Sequence, residues 1–374
     1  MYLLFLCISI LSILLYSFLI ILFFYAWRRQ LSFKECLVSR PIFVSIIIPA
    51  RNEEKQISNI LTDLTSQNYD FSFFEIVVVN DHSQDNTQLV ANSYKEKLSN
   101  FSVLELPEAL LGKKQSLAYA ISKSKGELII TVDADCRVGK YWLSSIVSFY
   151  NQFRPKIIIG PLLYREGKSI FEKIQSVEIA GLVASGAGAA FLNHSIMCNG
   201  ANLAFTREAY LKSAAMMKSH LASGDDLFLL LSVKKNWPKE ICFLKSRNAL
   251  ALTNSESDLK NFIQQRKRWT SKARYYRDAD IILTAGVVFV SNLLIVASLI
   301  AAFFQPYLFL LFVFLLAIKS VGDLLLLNSF LVFFEMKNIL KYFWQAQLLY
   351  PFYILFMGVY GNIGKFKWKN RIYP

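Results

Sequence analysis

The decapeptide Gly126-Glu-Leu-Ile-Ile-Thr-Val-Asp-Ala-Asp135 sets a β-rich run, Leu128 to Val132, directly before two carboxylates two residues apart. A run this short predicts a strand buried on both faces, as in a parallel sheet covered by helices. Ligands bind such sheets at the carboxyl ends of the strands. Two carboxylates held together there repel, which raises one pKa unless a cation lies between them. A divalent metal carrying phosphate oxygens meets that need, because Mg²⁺ binds one or two carboxylates plus substrate phosphates. Asp133-Ala-Asp135 equally fits two solvated turn aspartates, so the rest of the chain must decide.

On the N-terminal side, Val44-Ser-Ile-Ile-Ile-Pro49 predicts a first buried strand ended by Pro49. Ile57, Ile60, Leu61 and Leu64 follow at i, i+3, i+4 and i+7, the stripe of a helix packed on a sheet. The loop between them, Arg51-Asn-Glu-Glu54, faces the ligand in a parallel sheet, and its acids equally suit a helix N-terminus. Glu75 to Asp81 repeats the pattern of a strand running into a carboxylate, with a helix start at Ser83-Gln-Asp-Asn86. A strand at 102–106 and a helix around Leu117 to Ile121 lead back to the decapeptide. This alternation predicts an α/β sheet with crossover connections. Adjacent strands are expected to bring Asp81 and Asp133/Asp135 to one edge. Gly112-Lys113-Lys114 offers cations there, but no Gly-x-x-x-x-Gly-Lys-Ser/Thr exists, which excludes a P-loop. Gly186-Ala-Gly188 lacks the third glycine and the preceding strand of a Rossmann fingerprint.

The chain of 374 residues is 54% hydrophobic and only 18% charged, too apolar for an ordinary soluble domain. Tyr2 to Trp27 carries no charge over 26 residues, more than the roughly 20 that span a bilayer. It lacks a basic n-region and an Ala-x-Ala site, so a membrane anchor is expected rather than a signal peptide. Arg28, Arg29 and Lys34 then place the following chain in the cytoplasm by the positive-inside rule. A second apolar block comprises Ile281 to Phe304, a turn at Pro306, and Tyr307 to Phe334. Lys319 and Asp323 lie four apart on one face of this last segment, placed to pair. Leu348 to Tyr360, interrupted by Pro351, reads as a shorter re-entrant or interfacial piece. Lys365, Lys367, Lys369 and Arg371 argue for a cytoplasmic tail, whereas counting spans from an outside N-terminus puts that tail outside.

The net charge of +14 is concentrated between Lys260 and Arg277, where seven basic residues stand without an acid. Immediately before an apolar span, such a patch predicts contact with anionic lipid rather than nucleic acid. Cys7, Cys36, Cys136, Cys198 and Cys242 show no Cys-x-x-Cys spacing, which suits a reduced cytosolic domain and not a disulfide framework or zinc site. The Gly- and Ala-rich segment from Ile170 to Leu192 predicts a helix that packs closely on another, with a lipid or glycan groove as the other reading.

Seven motifs, in order, resemble those of membrane-anchored family 2 glycosyltransferases. They are Ile-Ile-Pro-Ala-Arg-Asn-Glu53, Val-Val-Asn-Asp-His-Ser-Gln-Asp85, Gly112-Lys-Lys-Gln-Ser-Leu117, Val132-Asp-Ala-Asp135, Cys198-Asn-Gly-Ala-Asn-Leu-Ala-Phe205, Gly224-Asp-Asp226 and Gln265-Arg-Lys-Arg-Trp269. Each alone is weak; together they span residues 45 to 269. The resemblance implies a GT-A nucleotide-sugar-binding α/β domain with a mostly parallel sheet, flanked by N- and C-terminal transmembrane helices. Expected boundaries are an anchor at 1–28, the GT-A domain at 40–255, a basic interfacial helix at 256–280, a transmembrane region at 281–364 and a basic tail at 365–374.

By that resemblance Asn52 or Glu53 and Asp81 meet the nucleoside, and Lys113 lies near the base. Asp133 and Asp135 hold Mg²⁺ or Mn²⁺ on the diphosphate, Asp135 more directly. Gly200 lets sugar and acceptor approach the backbone. Asp226 is the base on the acceptor side, with Asp225 as the other candidate because the family's Glu-Asp is here Asp-Asp. Gln265, Arg268 and Trp269 close over diphosphate and acceptor. The chemistry asks for these groups: an acceptor hydroxyl needs a carboxylate to take its proton, and the leaving diphosphate needs countercharge. Asp226 before an apolar helical run also reads as an N-cap, with Asp225 the better cap. The reading is an inverting glycosyltransferase of a bacterial inner membrane that uses a nucleotide-diphosphate sugar, with its catalytic domain cytoplasmic. It serves a lipid or glycan acceptor in envelope polysaccharide or glycolipid synthesis. The alternative is a catalytically silent nucleotide-sugar-binding subunit of a polysaccharide synthase complex.

Overall fold

A computed structural model describes residues 2–34, 40–97, 99–213, 224–361, 363–364, 366–368 and 371–373. Cys36, Lys365 and Lys369 lie outside the described residues. The chain divides into two compact units. One comprises Leu31–Arg165 and Met197–Asn254, the other Met1–Gln30, Glu166–Ile196 and Ser255–Pro374.

The first unit is built on a seven-stranded sheet. Its strands in chain order are β1 (Val44–Ala50), β2 (Phe74–Asn80), β3 (Phe101–Glu105), β4 (Leu128–Val132), β6 (Ile157–Ile159), β8 (Asn202–Thr206) and β9 (Ile241–Phe243). Their order across the sheet is β3-β2-β1-β4-β8-β6-β9. β1 to β4 are mutually parallel, β8 runs antiparallel to β4 and β6, and β9 is parallel to β6. All five residues of β4 are buried, as its sequence demands. Helix α2 (Ile57–Thr65) crosses from β1 to β2, and its Ile57, Ile60, Leu61 and Leu64 are fully buried. α3 (Thr87–Asn92) and α4 (Lys113–Lys123) make the next two crossovers, and α5 (Trp142–Phe153) covers the sheet further on. Three short strands, β5 (Arg137–Val138), β7 (Leu162–Tyr164) and β10 (Ala251–Thr253), form a separate small sheet.

One topological expectation is corrected. β2 and β4 are not neighbours; both flank β1. Because all three are parallel, their carboxyl ends still share an edge, and the chain reverses its direction of travel across the sheet between β1 and β4. Such switch points open the crevice in which α/β sheets bind ligands. Two contacts fix the entry side of β1. The Tyr69 hydroxyl donates to Ile42 O at 2.6 Å and accepts from Ile42 N at 2.9 Å. Gly126 presses on β1 so closely that a Cβ there would stand 2.4 Å from Ser45 N.

The second unit is helical. It contains α1 (Tyr2–Arg29), α6 (Ile170–Phe191), α9 (Leu259–Thr270), α10 (Ala279–Ala302), α11 (Leu308–Phe333) and α12 (Phe343–Tyr360). Among the described residues, four helices, α1, α6, α10 and α11, are long and apolar enough to cross a membrane. α6 clusters here and not with the sheet, unlike the 40–255 span expected from sequence. Its small residues serve close packing: a Cβ on Gly188 would stand 2.6 Å from Phe23 O of α1. α12 begins at Phe343, earlier than expected, and runs through Pro351. The tertiary reason is Gln347, whose side chain bonds Lys319 at 2.7 Å and Asp323 at 2.8 Å. Lys319 and Asp323 pair at 2.7 Å, and the Tyr16 hydroxyl of α1 donates to Asp323 at 2.7 Å. Three of the basic residues expected to face lipid, Arg266, Lys267 and Lys272, are instead buried in protein. Aromatic partners explain the first two: Arg266 stacks on Phe262, and Lys267 lies over Tyr360.

Candidate active site

The segments that follow β1, β2, β3 and β4, with the residues that open β8 and α8 (Asp225–Asn236), supply most of the expected site residues. The first follows β1, where Arg51 is buried and donates to Asp81 O at 2.6 Å and His82 O at 2.8 Å. That bond ties the loop after β1 to the loop after β2. Asn52 adopts a left-handed backbone, φ 51°, a conformation asparagine tolerates better than most residues. Its Oδ1 accepts from Gln84 N at 2.8 Å and its N–H donates to Ser83 Oγ at 3.1 Å. Asn52 therefore shapes the rim through its side chain, while Glu53, whose N–H donates to Thr87 Oγ1 at 2.7 Å, remains half-buried.

Asp81 directly follows β2 and is 2% exposed. Its Oδ2 accepts from Gly112 N at 3.2 Å, holding the start of α4 against the loop after β2. Gly112 has φ 89°, a backbone that only glycine adopts without strain. The next residue, Lys113, reaches Asp133 at the end of β4 and forms an ion pair with it. Asp133 and Asp135 are both partly exposed. Asp135 Oδ2 accepts from Thr253 Oγ1 at 2.9 Å, and its carbonyl accepts from Arg165 at 3.2 Å. Cys136 follows, fully buried. Burial first, then the charges of Asp135 and Asp133, hold its thiol well above the ordinary range. The loop continues into Arg137, which forks onto Asp63 of α2 at 2.6 and 2.8 Å.

Asp225 and Asp226 open α8. Gly224, with φ 94°, is the N-cap; Asp225 and Asp226 are the first two helical residues. This corrects the sequence expectation of a capping aspartate: only a glycine enters the helix by that backbone path, and the two acids instead complement the helix dipole. Asp225 is buried and lies 3.7 Å from Lys114 Nζ. Asp226 is half-buried; its Oδ2 accepts from Gly200 N at 3.0 Å and its Oδ1 from Leu227 N at 2.8 Å. Gly200 precedes β8, whose Asn202 faces Val132 of β4. Burial and then Asp226 raise the Cys198 thiol, a further mark of how close the two stand.

The structure therefore gathers Asp81, Lys113, Asp133, Asp135, Gly200, Asp225 and Asp226 along one edge. Contacts through Gly112, Lys113, Lys114 and Gly200 link the ends of β2 and β4 to the starts of α4 and α8. Gln265, Arg268 and Trp269 lie on α9 in the helical unit. There Gln265 Nε2 donates to Glu256 at 2.8 Å and its Oε1 accepts from Arg266 at 2.6 Å. Sequence reasoning missed Thr253, Arg165, Lys114 as the partner of Asp225, and the buried pair of Arg266 with Glu178 at 2.7 Å. Glu178 could have been found, because it is one of only two acids in the apolar helix α6 and calls for a cationic partner.

The donor set at Asp133 and Asp135 fits a magnesium or manganese ion. Two partly exposed carboxylates offer hard oxygens and leave room for phosphate and water ligands, which suits Mg²⁺ better than a closed protein cage. Among the described residues no group of three or more His, Cys, Asp or Glu side chains forms such a cage.

Residues 45–213 match the family model for Glycosyl transferase family 2, and the chain carries a glycosyltransferase domain of that family. The matched region contains Asp81, Lys113, Asp133, Asp135 and Gly200; Asp225, Asp226 and α9 lie beyond it. Glycosyltransferase AglE of Haloferax volcanii is 27% identical over 187 residues, 50% of this chain and 59% of AglE. Dolichyl-phosphate beta-glucosyltransferase ALG5D of Trichomonas vaginalis is 31% identical over 165 residues, 41% of this chain and 50% of that protein. The chain thus spans about half the length of these curated relatives. The mannosyltransferase PcManGT of Pyrobaculum calidifontis, solved with GDP-Man and Mn²⁺, superposes with a TM-score of 0.56 at 16% identity, covering 92% of this chain and 99% of that one. The fold is GT-A.

Proposed function

We propose that this chain is a membrane-embedded, metal-dependent, inverting glycosyltransferase. It moves a sugar from a nucleotide-diphosphate donor to a lipid or glycan acceptor at the cytoplasmic face. The observation that carries the reading is the linked set of carboxylates and lysines at the switch point between β1 and β4. It places a candidate base, Asp226, on the same sheet edge as Asp81 and the Asp133/Asp135 pair.

The geometry supports the following roles. Asp81, buried and fixed by Gly112, presents the nucleoside end of the crevice. Lys113 neutralises Asp133 before the donor arrives and then serves the diphosphate. Asp133 and Asp135 would hold a Mg²⁺ or Mn²⁺ ion, which would supply countercharge to the diphosphate leaving group. Asp226 takes the proton of the acceptor hydroxyl as that oxygen bonds to the anomeric carbon and the bond to the diphosphate oxygen breaks. Gly200 N and Leu227 N fix the orientation of this carboxylate. Asp225 is the poorer base, because Lys114 claims it and burial hides it. The names of AglE and ALG5D support the class of reaction, and ALG5D a lipid-phosphate acceptor. The four long apolar helices support insertion in a bilayer.

The test is turnover by the purified full-length chain in nanodiscs with a panel of nucleotide sugars and extracted lipids. Replacing Asp226→Asn is expected to lower transfer by about a hundredfold or more while donor binding persists. An Asn variant as active as the parent removes Asp226 as the base. A parent that binds donor yet transfers nothing with any acceptor fraction supports a silent binding subunit instead.

A further inference from the structure

We propose that Thr253 is a positioning residue for the Asp135 carboxylate and, through it, sets the affinity of the Asp133/Asp135 pair for a divalent cation. The inference rests on the metal-dependent reading given above and deepens it. Every residue it uses belongs to the sheet unit.

Thr253 closes β10, whose three residues run buried, half-buried, buried. A strand turns its first and third side chains to one face, so Thr253 shares a face with Ala251, a member of the hydrophobic core. Valine would fill that place with no polar atom. A hydroxyl buried there costs free energy unless it is bonded, and Thr253 Oγ1 donates to Asp135 Oδ2 at 2.9 Å. Strand register brings the two together. β10 pairs antiparallel with β5, Ala251 opposite Val138 and Leu252 opposite Arg137, so one further step along the ladder sets Thr253 level with Cys136 and beside Asp135. On its other side β10 pairs with β7, Thr253 opposite Tyr164, and Arg165 N donates to Thr253 O at 2.8 Å. Arg165 returns to the same aspartate, its Nη2 donating to Asp135 O at 3.2 Å. The small sheet therefore holds both the main chain and the carboxylate of Asp135. A hydrogen bond to one oxygen fixes the rotation of a carboxylate, so its geometry is set before a cation arrives and less freedom is lost on binding.

The test uses the full-length chain in nanodiscs and Mn²⁺, titrated alone and with GDP or UDP, with free Mn²⁺ read by electron paramagnetic resonance. Thr253→Val keeps the branched shape and removes the donor; it is expected to raise the Kd for Mn²⁺ about tenfold. Thr253→Ser keeps the donor and is expected to stay within about threefold of the parent. The metal-free melting temperature of Thr253→Val is expected to match the parent's, while the rise in melting temperature at a fixed Mn²⁺ concentration shrinks. A Val variant that binds Mn²⁺ as tightly as the parent, or a Ser variant as weak as Val, overturns the proposal and leaves Thr253 a packing residue. So does a loss of affinity that comes with an equal fall in metal-free stability. Mn²⁺ binding that depends on Thr253 in a chain that transfers sugar from no donor sinks the glycosyltransferase reading and leaves the positioning contact standing. A parent that takes up no Mn²⁺ under any of these conditions overturns the metal reading and the proposal together.

Discussion

Gly200 and Asp226 constrain each other. A Cβ at Gly200 would lie 3.4 Å from Asp226 Oδ2, an ordinary van der Waals contact that leaves the carboxylate in place. Gly200→Ala is therefore expected to change the thermal midpoint little, and a loss of kcat of about tenfold would report sugar or acceptor crowded by the new methyl group. Gly126→Ala is the contrasting case, since its Cβ meets the backbone of β1 at 2.4 Å. It should cost about 1–3 kcal/mol of stability by overpacking, read from denaturant midpoints. Tyr69 carries a pH dependence. Burial, the largest cause, pushes its hydroxyl from 10.0 up to about 12. A raised folded-state value favours the protonated form, so this stabilisation is complete below pH 10 and disappears as the pH climbs through about 12. Tyr69→Phe, which removes both bonds to Ile42, should melt below the parent at pH 8 and approach it at pH 11.5, a comparison that thermal scans make directly. Single residues were also where sequence reasoning was weakest. Asp81, Asp133 and Asp135 were legible because each follows a run of buried apolar residues. The pairings of Gly112 with Asp81, Thr253 with Asp135 and Lys114 with Asp225 were not, because these contacts close loops of widely separated residues that no local pattern encodes.

At the scale of elements, the clearest contest lies between α6 and α1. A glycine inside a helix normally disfavours it by about 1 kcal/mol relative to alanine, so Gly188→Ala would gain if local propensity ruled. Here the new methyl group would stand 2.6 Å from Phe23 O, and the cost of forcing two helices apart, about 1–3 kcal/mol, exceeds that gain. The expected result is a lower melting temperature, with Gly286→Ala, where a Cβ meets nothing within 4 Å, as the matched control. The same contrast explains what was readable. The strands β1, β2 and β4 and the helix α2 declare themselves through period and burial. The short strands β6, β7, β9 and β10, three residues each, are too brief to show a period at all. α9 misled for another reason: its charges suggested a lipid face, whereas aromatic rings and Glu178 draw Arg266 and Lys267 inward. α12 outran its proline because Gln347 is held from α11.

For the molecule as a whole, the polar cluster of Tyr16, Lys319, Asp323 and Gln347 joins three apolar helices that differ widely in sequence position. Removing one charge should be far worse than removing both. Lys319→Met leaves the half-buried Asp323 without its cation, a loss toward the low end of about 3–5 kcal/mol, whereas Lys319→Met with Asp323→Leu should come much closer to the parent. Detergent-resistance and melting measurements on the three proteins distinguish these outcomes. Within the sheet unit, the alternation of strands and crossover helices followed from sequence, while the order β3-β2-β1-β4 and the antiparallel insertion of β8 did not. Nothing in Asn202-Leu-Ala-Phe-Thr206 specifies a direction.

The first helix is keyed to its neighbours by chemistry and not by greasiness alone. Trp27 packs against Phe330 with tilted rings 4.9 Å apart, Ser12 meets Ser291 at 2.8 Å, and Tyr16 reaches Asp323. Grafting an unrelated hydrophobic segment of equal length in its place would tether the chain to a bilayer yet leave the keyholes empty. Such a chimera should reach the membrane fraction normally and be cut faster by protease than the native protein.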